Sequence, residues 1–412
     1  MNGQNDKGWW SRFYDRLFSG GKRLDKGSTI DPFVSQSTST GEQVDAEKAL
    51  KLSAVWACVR LRSQTASSLP LHLKDFERKI AREHSLYKLI HDAPNADMCA
   101  SEFWQAIVAN IDLWGNSYSR INRLNGRIVS LDILDPQYIS VKRKDSGEIV
   151  YIYTKNNVDS GEYGEAEILH FKDFSLDGLV GLSPISYLAQ VMGLQIAANN
   201  AAGKAFKNNL KAGGFLKTGD RVLNAEQRDL VRKALNEYGQ PENAGKWMVL
   251  EAGMEPANMS GAWINPQDAQ LLESRYFGIE EICRAFGVPP QLIHSTDKSS
   301  SWASSAEQIN QNFLTYSLGP TLKRIEQTIA RKLLTPEERE KYYPIFSVEG
   351  LLRADSAGRA SFYTALLQNG VMTRNEVRAL ENLPAIDGAD QLTVQLNLTS
   401  IDKVGADDKD KD

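Results

Sequence analysis

Asn265-Pro266-Gln267-Asp268, Ala285-Phe286-Gly287-Val288-Pro289-Pro290, Lys298-Ser299-Ser300-Ser301-Trp302 and Ser304-Ser305-Ala306-Glu307 punctuate the stretch 265–334, whose reading decides the fold. The first tetrapeptide starts a helix: Asn caps, Pro suits the first helical position, and Asp268 sits favourably in the first turn. Leu271, Leu272, Tyr276, Ile279 and then Ile282 or Cys283 recur close to a 3.6 period. Gly287 and two prolines stop that helix. A polar connector follows, Gln291 to Ser305. Ser304 and Glu307 have capping-box spacing. From there Ile309, Phe313, Leu318, Leu322, Ile325, Ile329 and Leu333 carry a longer helix, with a kink expected at Pro320, after Gly319. By pattern alone this is a helical hairpin with an exposed connector.

Composition bounds the rest. A chain of 412 residues has length for two or three domains and a sizeable core. Hydrophobic residues make up 42% and charged residues 24%, as in globular soluble domains. The net charge of −4 argues against a general nucleic-acid coat but leaves room for a local basic face. Cys58, Cys99 and Cys283 lie far apart and form neither a metal-type pair nor a disulfide framework, so a reducing compartment is expected. No apolar run approaches the roughly 18 residues of a membrane span, and the N-terminus lacks a signal-peptide core.

Outward from the hairpin, residues 1–45 read as an N-terminal arm, partly disordered. Trp9, Trp10, Phe13, Leu17 and Phe18 pattern a short amphipathic helix, suited to docking on protein or to a membrane surface. A helix is expected from Asp45 to Ser68, with Leu52, Val55, Trp56 and Val59 on its buried face. A strand follows at Leu71-His72-Leu73, then helices near 84–91 and 101–114. From Asn116 to Phe171 the period becomes two, broken at Asn125-Gly126, Asp135-Pro136 and Asp145-Ser146-Gly147, which suggests a meander of antiparallel strands. Ser183-Pro184 opens a helix to about Leu210. Lys204, Lys207 and Lys211 share one of its faces, either as a polyanion contact or as a solvated basic face. Next comes a small unit with a helix capped by Asn224 and Gln227, flanked by strand-like Phe215-Leu216 and Trp247 to Leu250. Thr335 and Thr373 start two further helices, Glu338 and Glu376 standing three residues on. Asp407 to Asp412 holds only Asp and Lys and is expected to be disordered.

No catalytic motif is found. Gly239 to Gly245-Lys246 has one residue too many for a phosphate loop, and Trp247 stands where a Mg²⁺-binding hydroxyl belongs. His72, His84, His91, His170 and His294 form no zinc motif. No nucleophile elbow occurs. Neither catalytic residues, metal site nor cofactor is therefore expected, and weight shifts to binding or assembly.

Several segments together resemble the HK97-type portal family of tailed bacteriophages. They are Leu52-Ser53-Ala54-Val55-Trp56-Ala57-Cys58-Val59-Arg60 with Ser67-Ser68-Leu69-Pro70-Leu71, Gly181-Leu182-Ser183-Pro184-Ile185, Asp268 to Glu273, Ile282 to Pro290, Ile325-Glu326-Gln327, and Gly370 to Arg378. They keep the family order and span about residues 50–390.

The resemblance implies an α+β portal fold, assembled as a ring: an α+β wing at 46–180, a helical stem at 181–211 and 265–287, a small α/β clip at 212–264 and a helical crown at 349–396. It makes 288–304 a tunnel loop, 305–348 a long kinked wing helix with its connector, and leaves 397–412 as a disordered acidic tail. The implied partners are the chain itself, in a dodecameric ring, the major capsid protein and scaffold, the terminase large subunit, a head-tail adaptor, and double-stranded DNA in the channel. No membrane is implied. The implied location is the capsid vertex of a virion assembled in a host bacterial cytoplasm. Ile293, His294, Lys298, Ser299, Ser300, Ser301 and Trp302 become DNA-facing candidates. Lys204, Lys207 and Lys211 become a stem basic face, and Lys217, Arg221, Glu242 and Lys246 become clip residues facing terminase or adaptor. Sliding DNA needs many weak contacts, and a serine-rich loop with one lysine suits that better than an arginine cluster, which would grip a duplex carrying about one charge per 1.7 Å. A nucleic-acid enzyme of the packaging machinery and a monomeric helical binding protein are the alternatives.

Overall fold

The computed structural model describes residues 24–31, 35–155, 160–207, 216–218, 224–238, 254–256, 269–293, 308–348, 356–381 and 383–393. The chain forms two compact units, Met1–Phe346 and Ser347–Asp412. The described part of the first begins with three short strands, β1 (Thr29–Ile30), β2 (Gln36–Ser37) and β3 (Gln43–Val44). Asp45 then caps α1 (Ala46–Leu50) by accepting from the Lys48 amide.

The helix expected from Asp45 to Ser68 is broken. Lys51 ends α1, and extended Leu52 caps α2 (Ser53–Ser67). This turns the buried stripe to Val55, Cys58, Val59, Arg62 and Ala66, and Trp56, expected inside, is 54% exposed. Beyond α2 come β4 (Leu71–Asp75), α3 (Ser85–His91) and α4 (Ala100–Trp114). Gly115, with a positive φ, turns α4 directly into a strand.

The strands that follow form two sheets, which corrects the single meander. β5 (Asn116–Leu124) and β6 (Arg127–Leu134) make a hairpin around Asn125-Gly126. After a 3₁₀ turn at Pro136–Tyr138, β7 (Ile139–Arg143), β8 (Ile149–Thr154) and β9 (Ser160–Gly164) run antiparallel, with β1 on the far edge of β7. β10 (Ile168–Lys172) returns to pair with β5. Alternation decides the layering. Tyr118, Ile139, Val141, Tyr151, Tyr153 and Ile168 point into one apolar core shared by the two sheets. Phe171, on the other face of β10, meets Trp104 of α4 edge-on.

α5 (Pro184–Lys207) packs along α7 (Ala269–Phe286). Between them are β11 (Leu216–Thr218), α6 (Ala225–Tyr238) and β12 (Met254–Pro256). Asn224 and Gln227 form the expected reciprocal cap of α6. β11 pairs with β12, and Trp247 to Leu250 lies outside the described residues. On α7 the buried face is Gly278, Ile282, Cys283 and Phe286. Tyr276, expected inside, is about half exposed, as is Phe277.

The chain is helical again from 308. A π-helical turn, Phe313–Leu318, leads into α8 (Gly319–Leu333), so the irregularity expected at Pro320 takes the form of a widened turn just before it. The Gly319 amide bonds to Leu314 O five residues back, and a Cβ at Gly319 would meet that oxygen at 2.8 Å. α8 packs against β10 and β13 (Tyr342–Phe346), after the short α9 (Pro336–Arg339). β13 pairs with β4, a partnership between distant segments. In the second unit are α10 (Ser356–Gln368) and α11 (Arg374–Leu380), the latter opened by the expected Thr373–Glu376 capping box.

Candidate functional site

α7 ends in a Schellman motif. The Val288 amide reaches back to Cys283 O and the Gly287 amide to Arg284 O, with Gly287 at φ +64°. These two bonds leave the Phe286 carbonyl at the C-cap without a helical partner. A 3₁₀ turn, Pro290–Ile293, follows and packs against α2. The chain is next described at 308, and by Ser317 it has returned to the end of α7, where Ser317 Oγ lies 3.4 Å from Phe286 O.

Arg62 of α2 fills this junction. Its Nε donates to both carboxylate oxygens of Asp112 on α4, at 2.9 and 3.1 Å. Nη1 donates to Phe286 O at 3.2 Å and to Ser317 Oγ and O at 2.5 and 3.4 Å. Nη2 donates to Thr321 Oγ1 at 3.2 Å. Both side chains of the ion pair are almost fully buried, at 6% and 3% exposure. Burial pushes the Asp112 carboxyl up to about 6; Arg62 pulls it down through its charge and hydrogen bonds, and Asp173 adds to the rise. Asp173 is itself paired with Arg324 of α8. Beside the junction, Cys58 of α2 neighbours Cys283 of α7, and its interaction with that thiol together with burial pushes the Cys58 thiol up.

Two clefts flank the junction. One, of about 390 Å³, is mainly apolar and lies between the end of α7 and the π turn, with Cys283, Val288, Pro289, Phe313 and Tyr316 among its walls. The other, of about 300 Å³, has Arg62, Asp112, Asp173, Arg284 and Arg324 in its lining. Among the described residues no group of three or more His, Cys, Asp or Glu side chains is disposed to hold a metal ion. None of the helices in the described residues is long and apolar enough to cross a membrane.

Of the candidates read from sequence, Ile293 ends the 3₁₀ turn half-buried. His294, Lys298, Ser299, Ser300, Ser301 and Trp302 lie outside the described residues, as do Lys211, Arg221, Glu242 and Lys246. Lys204 and Lys207 fall on the last turns of α5, and Lys217 stands in β11 opposite Glu255. Sequence reasoning missed Arg62 and Asp112. A signal existed: Arg62 sits four residues after Cys58, and Asp112 four after Val108, each in an apolar stripe where an unpaired charge would be costly.

A family model described as phage portal protein matches residues 53–382. The chain is 33% identical to the portal protein of Enterobacteria phage HK97, over 98% of this chain and 95% of that one. It is 31% identical to the probable portal protein of Streptomyces phage phiC31, over 96% and 90%. Its fold is similar to a chain in the neck of a native gene transfer agent particle computed with C12 symmetry, with a TM-score of 0.59, 22% identity, and coverage of 88% and 97%.

Proposed function

The chain belongs to the phage portal protein family, and from that premise we propose that twelve copies close into a ring at one capsid vertex, with residues 288–304 of each lining the channel for double-stranded DNA. Heterologous contacts close such a ring. The C12 symmetry of the gene transfer agent neck supports the copy number. Tyr187 and Leu194 on α5 and Tyr276 and Phe277 on α7 are large apolar side chains exposed on the single chain, a pattern expected of surfaces that neighbouring copies cover.

One observation carries the channel assignment. Phe286 at the end of α7 and Ser317 ahead of α8 lie within hydrogen-bonding distance, so the segment that joins them starts and ends at one place in the fold, which supports reading it as a loop anchored at a single point. Around a ring, twelve such loops would make a collar. Ser299, Ser300, Ser301 and Lys298 would give it weak, non-directional contacts that let DNA slide. Ile293, His294 and Trp302 would flank those contacts. In this assignment residues 46–180 are the wing, α5 and α7 the stem, 212–264 the clip and 349–396 the crown. Lys204, Lys207 and Lys211 would form a basic belt in the stem. Lys217, Arg221, Glu242 and Lys246 would face terminase and later the head-tail adaptor. The vertex would contact capsid protein and scaffold during assembly in the bacterial cytoplasm. The chain itself would catalyse nothing.

The test is to replace Ser299, Ser300 and Ser301 with arginine in the full-length chain. Rings should still assemble by light scattering, while DNA packaging falls. Unchanged packaging would remove the channel role from this loop, and a chain that stays monomeric under all assembly conditions would remove the ring.

A further inference from the structure

The base of the loop is held by a side chain that belongs to neither of its ends. Phe286 and Ser317 are 31 positions apart, and Arg62 is more than 220 positions from both. Closing a long segment costs conformational entropy, and the cost is offset only where contacts fix the ends. At this junction the direct hydrogen bond between the two ends runs from Ser317 to the Phe286 carbonyl at 3.4 Å. The shorter bonds all come from the guanidinium, which also reaches Thr321 in the first turn of α8. Its Nε edge is held by Asp112, so its orientation comes from α4, within the body of the first unit. A guanidinium donates through five N–H groups in a rigid plane, so it can serve a carboxylate and two chain ends together; a lysine ammonium cannot reproduce that fork.

We propose that Arg62 is the positioning residue of the channel segment 288–304: oriented by Asp112, it pins the end of α7 and the π turn before α8 to one point, and so sets where that segment is anchored. This rests on the assignment of those residues to the channel. Arg62 touches no DNA in this scheme. Its effect on DNA passes entirely through the loop it holds.

The experiment separates loop positioning from a general role in the core. Arg62→Met is combined with Asp112→Leu, so that no charge is left buried without a partner. Cys58→Ala, Cys99→Ser and Cys283→Ala are included so that no native thiol interferes. In assembled rings, hydrogen exchange at 288–293 and 308–316 should accelerate about tenfold, the scale of one lost charge-assisted hydrogen bond. Exchange in β5 and β10 should be unchanged. Arg62→Lys, which keeps the charge opposite Asp112 but loses the fork, should give about a threefold acceleration in the same peptides. A rescue follows from the geometry. A Cβ built on Gly287 lies 3.3 Å from Ser317 Cβ, near the roughly 3.5–4.5 Å of a disulfide. Gly287→Cys with Ser317→Cys, in the Arg62→Met and Asp112→Leu background, should exchange more slowly and retain more DNA oxidised than reduced, a comparison that holds constant the strain of a side chain at Gly287, φ +64°. Exchange that is unchanged in the loop-base peptides, or that rises equally throughout the chain, would overturn the proposal. So would a formed disulfide that rescues nothing. Local loosening and rescue with DNA retention unaffected throughout would leave the clamp standing and overturn the channel assignment beneath it.

Discussion

Each end of α8 is held to the rest of the first unit by a residue of an ion pair, at its start through a hydrogen bond from Arg62 and at its end by the pair itself, in different surroundings. At its start, Arg62 and Asp112 are buried, and the arginine spends its remaining donors on Phe286, Ser317 and Thr321. At its end, Lys332 and Arg331 reach Glu165 at 2.9 and 3.7 Å, and that carboxylate is 44% exposed. In the open pair, water can replace either partner, so the charges add little and tolerate change. In the buried pair, neither partner has an alternative, so geometry is strict and loss is severe. The strict end lies where α7 ends and α8 begins, and the tolerant end beside Glu165, between β9 and β10; under the proposed channel role the rigid end is the one next to DNA.

The sharpest way to break this comparison is Arg62→Ala. It strands Asp112 and should lower stability by about 3–5 kcal/mol, seen as a large fall in the thermal midpoint. A loss no greater than that from changing Glu165 would erase the distinction. Next in size is Gly287→Ala. The backbone there has φ +64°, and a Cβ would come within 3.1 Å of Ser317 Oγ, so a loss of about 1–2 kcal/mol in denaturant unfolding is expected. A neutral result would mean that the helix end re-forms without the left-handed cap.

A pH series sharpens the contrast further, because the two carboxyl groups are shifted in opposite directions. Asp112 is raised from 3.8 to about 6, so between those values the folded chain keeps a proton that the unfolded chain has released. Stability from this site therefore rises as pH falls through that window, and the native chain should gain on Asp112→Asn from pH 6 toward 4. A stability difference that stays flat with pH would contradict the burial-driven shift. Glu165 is lowered, chiefly by its hydrogen bond with Lys332. Its contribution is present above the ordinary carboxylate pKa and is lost as pH falls through the depressed one. The smallest effect is expected from Glu165→Gln, at most about 1 kcal/mol near neutral pH and absent in strong acid, in the same unfolding measurement. A loss of several kcal/mol would show that the exposed end is not the tolerant one.

How much of this was legible in the sequence depends on how far apart the partners lie. Local chemistry read correctly: the reciprocal caps at Asn224 with Gln227, Thr335 with Glu338 and Thr373 with Glu376 all form, because each needs only its own turn. The stop at Gly287-Val288-Pro289 was equally local. Faces were less secure. Trp56 and Tyr276 fit an apolar period, but the true stripes are set by what α2 and α7 pack against. The division of the strands into two sheets, and the pairing of β4 with β13, depend on contacts between distant segments that alternation alone does not encode. Pro320 marked the place of the helix irregularity, but its π form depends on Leu314 O accepting from Gly319. The loop-base site was the least legible, because the partners of Arg62 stand 50 to 259 positions away. What showed locally was only a charged residue in an apolar stripe.

The central claim is that the segment 288–304 faces DNA. A photo-crosslinking amino acid placed at Ser300, with a control at Lys51, exposed at the end of α1, tests it in DNA-filled particles. The account expects crosslinks from Ser300 to double-stranded DNA, independent of DNA sequence, and none from Lys51. Crosslinks absent at Ser300 in particles that have packaged DNA would contradict it.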